Sequence, residues 1–571
     1  MPFSSPFPPL QIPKVDLLSY LFPPNTPVSE KPIWIDAEHP ENCLSPRQLL
    51  QWVRRLAFGL DRLGVKPGEV VVTLTPNHIF VPVAFLGIVG SRRLFSGISP
   101  SFTANEVAYQ LRDTEAQALL VHPSVATVAI EAAQKVGLGL DRVFLFSDEP
   151  CNPIQCLKDW RSMIGTTDQG QQWTWVPMTE QESQSALATV NYSSGTTGFP
   201  KGVKITHYNI IANIKQSVFA RFLYKRNRPQ ERFIGLLPLY HAYGQLFTIS
   251  MVVPLNIPVY VMKEFNYEAY LRHIQTYRIT NLQIAPPILL MLIKRPETVN
   301  YDLSSVTDAL CGAAPVSKEA QNEASQKFNF PISQGWGMTE TTCAAMSVLG
   351  GMRDDTGSVG QLIPNTEAKL INDDGCEVGD NEPGELYIRG PQVCLGYWKN
   401  EEATAETIST DGWLKTGDIA VVRNGRFWIV DRKKELIKVN GFQVAPAELE
   451  AVLSSHEDIE DAGVVRIILF VPLEAASKES TLVLTCPSSR NGEEYPRAYI
   501  QLQPNAKGKI TPGDIHHYLS SRIARHKQLA GGISFVDAVP RLASGKIVRK
   551  LLREWAVRDA DVLEKEDKAK L

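Results

Sequence analysis

Up to about Glu340 the chain alternates short apolar runs with segments of helical periodicity, and this rhythm restricts the fold more than any other feature. Ser45-Pro46-x-Gln48 is a capping box with proline at the first helical position. Leu49, Trp52, Val53, Leu56, Leu60 and Leu63 then recur at helical spacing until Gly64. Glu69 to Leu74 reads as a strand, Ile79 to Val89 as a buried helix, and Thr103-x-x-Glu106 opens another helix; Ala118 to Val121 and Arg142 to Phe146 are further strands. The pattern resumes with strands over Pro258 to Met262 and Asn281 to Ile284 and one ending at Leu310. Helices are expected over Tyr267 to Tyr277, Pro286 to Leu292 and Ser317 to Phe328. Such alternation predicts an α/β fold of doubly wound parallel sheets, with phosphate-bearing ligands at the carboxyl ends of strands.

From Gly384 the pattern changes to short strands and turns, the mark of a small β-barrel-like part, and a compact α+β tail follows with helices over Ala447 to Leu453 and Asp514 to Ala524. A boundary near Asp431-Arg432 divides the chain into a large domain, 1–431, and a small one, 432–571. Met1 to Pro9 reads as a loose arm rather than a signal peptide, and no apolar run approaches the roughly 20 residues of a membrane helix. A formal charge of −3 over 571 residues disfavours nucleic acid as a partner. The eight cysteines stand singly, so neither a zinc site nor a disulfide framework is expected, and a reducing compartment fits. Ala569-Lys570-Leu571 is a one-residue variant of the Ser-Lys-Leu address, so peroxisomal location through an import receptor is expected, with the cytoplasm as second choice.

The densest chemical signal is Tyr192-Ser-Ser-Gly-Thr-Thr-Gly-Phe-Pro-Lys-Gly202, between an apolar strand (Ala186 to Val190) and a helix starting near Asn209. Gly195 and Gly198 let the backbone curl so that its N–H groups converge on an anion. The hydroxyls of Ser193, Ser194, Thr196 and Thr197 add donors, and Lys201 adds charge. No Gly-Lys-Ser/Thr ending is present, so this is not a Walker A loop.

The loop resembles the signature of the adenylate-forming (AMP-binding, acyl-CoA synthetase and luciferase) superfamily, closest to its 4-coumarate–CoA ligase-like branch. The resemblance runs in order from about Leu44 to Lys550. It takes in Pro238-Leu-Tyr-His-Ala-Tyr-Gly244, Gly312-Ala-Ala-Pro315, Gln334-Gly-Trp-Gly-Met-Thr-Glu340, Gly384-Glu-Leu386, Gly412-Trp-Leu-Lys-Thr-Gly-Asp418, Asp431-Arg-Lys-Lys-Glu-Leu-Ile-Lys438, Gly441-Phe-Gln-Val-Ala-Pro446 and Pro540-Arg-Leu-Ala-Ser-Gly-Lys546. It implies an acid–thiol ligase: a small carboxylic acid, aromatic or medium-chain, attacks the α-phosphate of ATP to give acyl-AMP and pyrophosphate, and coenzyme A then takes the acyl group.

Both reactants of the first step are anionic, so neutralisation and in-line placement matter more than proton transfer. The resemblance implies that Lys546 bridges carboxylate and α-phosphate, that Glu340 holds Mg²⁺, and that Thr339 and Thr197 contact phosphate. Ala313, Gln334, Gly335 and Trp336 meet the adenine side, and Asp418 with Arg432 clamps the ribose. His241, Tyr243, Ala313, Ala314 and Gly337 shape the acyl pocket. The small domain then turns about Lys434, withdrawing Lys546 and bringing in Lys438 and Gln443, while Gly441 and Lys263 meet coenzyme A.

Two departures stand out. Asn440 replaces a common lysine, and 466–497 is longer than the family's turn, either an extra hairpin or sequence normally spliced out. A carrier-loading cousin, a luciferase-like oxygenase and an inactive acyl- or nucleotide-binding protein remain the alternatives.

Overall fold

The computed structural model describes residues 2–193, 200–224, 230–439, 442–469 and 493–570. Among these, three large sheets make up the first three quarters of the chain. The seven-stranded sheet runs, edge to edge, through Lys201–Thr206, Leu187–Ser193, Leu94–Ile98, Val70–Leu74, Ala118–Val121, Val143–Leu145 and Lys158–Asp159. Its central strands are parallel. Val70–Leu74 and Leu94–Ile98 are buried at every position, as expected of strands covered on both faces. The capping boxes at Ser45 and Thr103 form as read, so local sequence alone starts those two helices.

The Lys201–Thr206 strand corrects the reading of the signature loop. It pairs antiparallel with Leu187–Ser193, Lys201 opposite Ser193, so the loop joins two strands rather than a strand and a helix. The helix His207–Phe222 begins only after Thr206 has capped it. Gly202-Val-Lys-Ile-Thr206 is too short to announce a strand by itself and gains one from the edge it completes.

The nine-stranded sheet places Ile332–Trp336, Asp308–Cys311, Asn281–Ile284, Phe233–Gly235, Val259–Val261 and Trp34–Asp36 side by side, all parallel. A six-stranded antiparallel sheet follows, in which Glu367–Ile371, Gly384–Arg389, Leu414–Arg423 and Arg426–Arg432 pair in that order, the last at an edge. The N-terminal arm is not loose. Phe3–Ser4 adds a strand to Glu367–Ile371, Phe3 packs edge-on against Phe427 at 6.0 Å, and Phe7 against Phe219 at 5.4 Å. An extended, proline-rich segment suits the exposed edge of a sheet, and its phenylalanines fill apolar slots there.

Beyond Arg432 a separate core gathers Ile437, Val444, Leu449, Leu453, Val464, Ile500, Ile515 and Leu519. Its elements include the hairpin Ile437–Val439/Phe442–Val444, the strands Ile459–Leu469 and Glu493–Leu502, and the helices Pro446–Ser454, Pro512–Ser520 and Arg549–Lys570. The flanks of the long segment extend one antiparallel ladder from Arg466–Pro496 to Leu469–Glu493; 470–492 lie outside the described residues. Ala569 and Lys570 fall in the last helix, and Leu571 is outside the described residues. No helix among the described residues is long and apolar enough to cross a membrane.

Candidate active site

The carboxyl ends of two neighbouring parallel strands, Asp308–Cys311 and Ile332–Trp336, feed the turns that frame a cavity of about 100 Å³. After Cys311 the backbone turns through Ala313 at φ 72°, a left-handed conformation that side-chain-bearing residues adopt at a cost and that clusters at functional sites. After Trp336 the chain makes a one-turn helix, Thr339–Thr341. It closes in a γ-turn centred on Thr342, φ 63° and ψ −50°, where the Cys343 N–H donates to the Thr341 carbonyl at 2.6 Å. His241, Tyr243, Ala313, Gly337, Thr339 and Lys546 are among the lining residues.

His241 caps the short helix Ala242–Gly244, its Nδ1 accepting from the Tyr243 N–H at 3.4 Å. That bond assigns the proton to Nε2. Desolvation, with Lys546 nearby, pulls its pKa down to about 3, so the ring is a neutral donor at ordinary pH. The Tyr243 hydroxyl donates to the Leu310 carbonyl at 3.0 Å and thereby holds the wall of the cavity to the strand beneath.

On the other side of the cavity the indole N–H of Trp336 donates to Asp418 Oδ2 at 2.8 Å, and Arg432 Nε stands 3.5 Å from Asp418 Oδ1. Asp418 and Arg432 are cross-strand partners, which is what brings them together. Burial pushes the Asp418 carboxyl up against the opposing pull of Arg432. Glu340 is buried and accepts from the Tyr397 hydroxyl at 2.9 Å; the Lys201 ammonium lies 4.8 Å from the centre of the Tyr397 ring. Tyr397 was not singled out in the sequence. A single tyrosine after Gly396 carries no local signal and gains its place only through contacts with residues far away in sequence.

Lys546 comes from the far end of the chain. Arg541 pairs with Asp461 at 2.7 Å and donates to the Gly545 carbonyl at 2.6 Å, which fixes the loop. Gly545, at φ 85°, presses so close to Ala285 and Pro287 that a Cβ there would lie 2.8 Å from the Ala285 Cβ. This close approach lets Lys546 reach the cavity. Desolvation and Arg432 lower its pKa to about 8, against the opposing fields of Glu340 and Asp418. A carboxylate, a guanidinium, an ammonium and a neutral imidazole thus converge at the ends of two parallel strands, the usual place for a phosphate-bearing ligand.

The AMP-binding enzyme family model matches residues 25–398. The chain belongs to that family. A phenylacetyl-CoA ligase of Aspergillus niger is 34% identical over 95% of this chain and 97% of that protein. A 4-coumarate–CoA ligase-like protein of Arabidopsis thaliana is 32% identical over 94% of this chain and 90% of that one. In fold, the chain superposes on a benzoate CoA ligase from Burkholderia xenovorans with a TM-score of 0.78 at 22% identity, covering 94% of this chain and 99% of that one.

Of the remaining residues singled out in this AMP-binding enzyme, Gly335 lines the cavity, whereas Lys438, Gln443, Lys434 and Lys263 lie away from it. Lys438 and Gln443 face each other across the exposed hairpin; the Lys438 N–H donates to Glu494 at 2.9 Å and Gln443 to Asp373 at 3.3 Å. Lys434 is exposed at the start of that segment. Lys263 is held between Asp36 at 3.1 Å and Asp148 at 2.7 Å, on a different edge of the sheet. The Gln334 side chain turns onto the neighbouring helix, donating to Gln321 at 2.6 Å, while Gly335 lines the cavity. Ala314 is half-buried beside Ala313, and the Ser193 hydroxyl donates to the Lys201 carbonyl at 3.5 Å. Ser194, Gly195, Thr196, Thr197, Gly198 and Gly441 lie outside the described residues.

Proposed function

We propose that the protein is an AMP-forming acid–thiol ligase that activates an aromatic or medium-chain carboxylic acid and transfers it to coenzyme A. The observation that carries this reading is the insertion of Lys546 into the cavity beside Glu340, Asp418 and Arg432. Relatives named as phenylacetyl- and 4-coumarate–CoA ligases support both the reaction and the aromatic class.

In the first step a carboxylate oxygen of the acid attacks the α-phosphorus of ATP; a P–O bond forms, the bond to pyrophosphate breaks, and acyl-AMP results. The Lys546 ammonium stands where two anions must meet and offsets their repulsion. Asp418 accepts from the ribose hydroxyls, and Trp336 holds the Asp418 carboxylate in place through the indole bond. The neutral His241 offers its Nε2–H to the carboxylate end of the acid. Glu340 is a single buried carboxylate, and no cluster of three metal-binding side chains occurs among the described residues, which suits an ion held mainly by phosphates. Mg²⁺ on Glu340 would neutralise the ATP phosphates.

In the second step the thiol of coenzyme A gives up its proton to water and the thiolate sulfur attacks the acyl carbonyl; a C–S bond forms, the C–O bond to AMP breaks, and AMP leaves. Lys546 then has to withdraw. Lys438 and Gln443 stand ready on an exposed hairpin just past Lys434, so rotation of the small domain about that point would exchange one lysine for the other.

The test is ATP–pyrophosphate exchange and thioester formation over a panel of carboxylic acids. Acid-dependent exchange with thioester product supports the reading. Exchange without thioester indicates the carrier-loading cousin, nucleotide binding without exchange an inactive binder, and oxygen uptake an oxygenase.

A further inference from the structure

The helix Pro286–Lys294 of the large domain meets the small domain at both of its ends. At its start, Ala285 and Pro287 pack against Gly545, the neighbour of Lys546. At its finish, roughly 12 Å further on at the usual helical rise, stands the half-buried Lys294. Its ammonium donates to the carbonyl oxygens of Ser454 at 2.6 Å, Ile459 at 2.6 Å and His456 at 3.3 Å, one acceptor for each N–H. Ser454 ends the helix Pro446–Ser454, whose last carbonyls lack partners within the helix and favour a positive charge. At the other end of that helix Asp431 Oδ2 accepts from the Ala447 N–H at 3.0 Å. Asp431 belongs to the segment that leads into Lys434, whereas Lys294 reaches in from a distant part of the large domain.

The grip leads on to the catalytic lysine. Ile459 opens the strand Ile459–Leu469, and on the same strand Asp461 pairs with Arg541, which donates to the Gly545 carbonyl. Direct contacts therefore run unbroken from Lys294 to the loop that carries Lys546. Resting on the ligase reading above, we propose that Lys294 is a positioning residue for acid activation: its hold on the Ser454, His456 and Ile459 carbonyls seats the small domain with Lys546 in the cavity, and has to be released before the acyl group passes to coenzyme A. A lysine closing a helix end within one domain would only add stability. Here the donor and its acceptors stand on opposite sides of the pivot proposed at Lys434, so the turn that withdraws Lys546 pulls them apart. A contact made in one of two geometries biases the balance toward that geometry.

The test measures both half-reactions in the wild type and in Lys294→Met, which keeps an unbranched stem and removes the donors. Acid-dependent ATP–pyrophosphate exchange should fall by about 10–100-fold in kcat, the loss expected when hydrogen bonds from a charged group are deleted. Thioester formation from pre-formed acyl-AMP and coenzyme A should match or exceed the wild-type rate, which also reports that the variant is folded. Arg541→Met breaks the same path further on and should show the same split. The double variant should lose less exchange than the product of the two single losses, because both substitutions loosen one element. Equal loss of both half-reactions in Lys294→Met would leave the lysine a purely structural role and overturn the proposal, as would unchanged exchange or losses that multiply in the double variant. If the wild type releases no pyrophosphate with any acid, the ligase reading falls and takes this proposal with it.

Discussion

The carbonyl oxygen of Cys343 lies 1.6 Å from the point where a Cβ on residue 337 would stand, so Gly337 and Cys343 hold the turn bearing Thr339 and Glu340 against its own strand. The obstacle is backbone and cannot rotate aside. Gly337→Ala should therefore displace the turn and lower acid-dependent pyrophosphate exchange by about 100-fold, the usual cost of an ångström-scale misplacement. Near-normal exchange in this variant would show that the turn is not fixed by this contact.

Lys546 should set a descending limb in the pH profile of adenylation. Its pKa is lowered to about 8, so the ammonium is present below that value and lost above it. Exchange rates should fall as pH rises through about 8, and bound nucleotide phosphates should move the break upward. Docking of the loop has the opposite dependence. Undocked, the lysine titrates near 10.5 and binds more protons, so docking strengthens between about 8 and 10.5 as the rate declines. In Lys546→Arg the guanidinium stays charged and the limb should vanish from whatever activity remains.

The two lysines should separate the half-reactions. Lys438→Ala should leave pyrophosphate exchange close to wild type and slow thioester formation. Lys546→Ala should abolish exchange while pre-formed acyl-AMP is still converted with coenzyme A. Equal loss of both steps in both variants would contradict a two-geometry cycle.

Tyr397→Phe removes the hydroxyl that donates to the Glu340 carboxylate at 2.9 Å. A hydrogen bond to a charged group contributes about 1.5–3 kcal/mol, so kcat for adenylation should drop by about 10–100-fold. Titrating magnesium should show a raised requirement, whereas a purely structural tyrosine would lower thermal stability and leave that requirement unchanged.

How much of this was legible depended on distance along the chain. The helix Tyr267–Tyr277 and the capping boxes at Ser45 and Thr103 follow from residues within a few positions of one another, and the structure has them where the sequence places them. The Lys201–Thr206 strand escaped notice because it exists only by pairing with Leu187–Ser193. Phe3 and Phe7 looked like an unattached arm because their partners, Phe427 and Phe219, stand hundreds of residues away. At the site, Gly337, Asp418 and Lys546 stood out through short, unusual surroundings, whereas Tyr397 acquires meaning only from the Glu340 carboxylate that folding sets beside it.

The ladder that flanks the long segment also bears on how the chain carries its extra length. Glu494 grips the Lys438 amide at 2.9 Å and the Arg466 guanidinium at 2.7 Å, tying the extension to the strand that bears Lys438. Any swing that delivers this lysine must carry the extension along as cargo, so a bulky fusion grafted there would act as a brake on thioester release and leave acid activation at full speed.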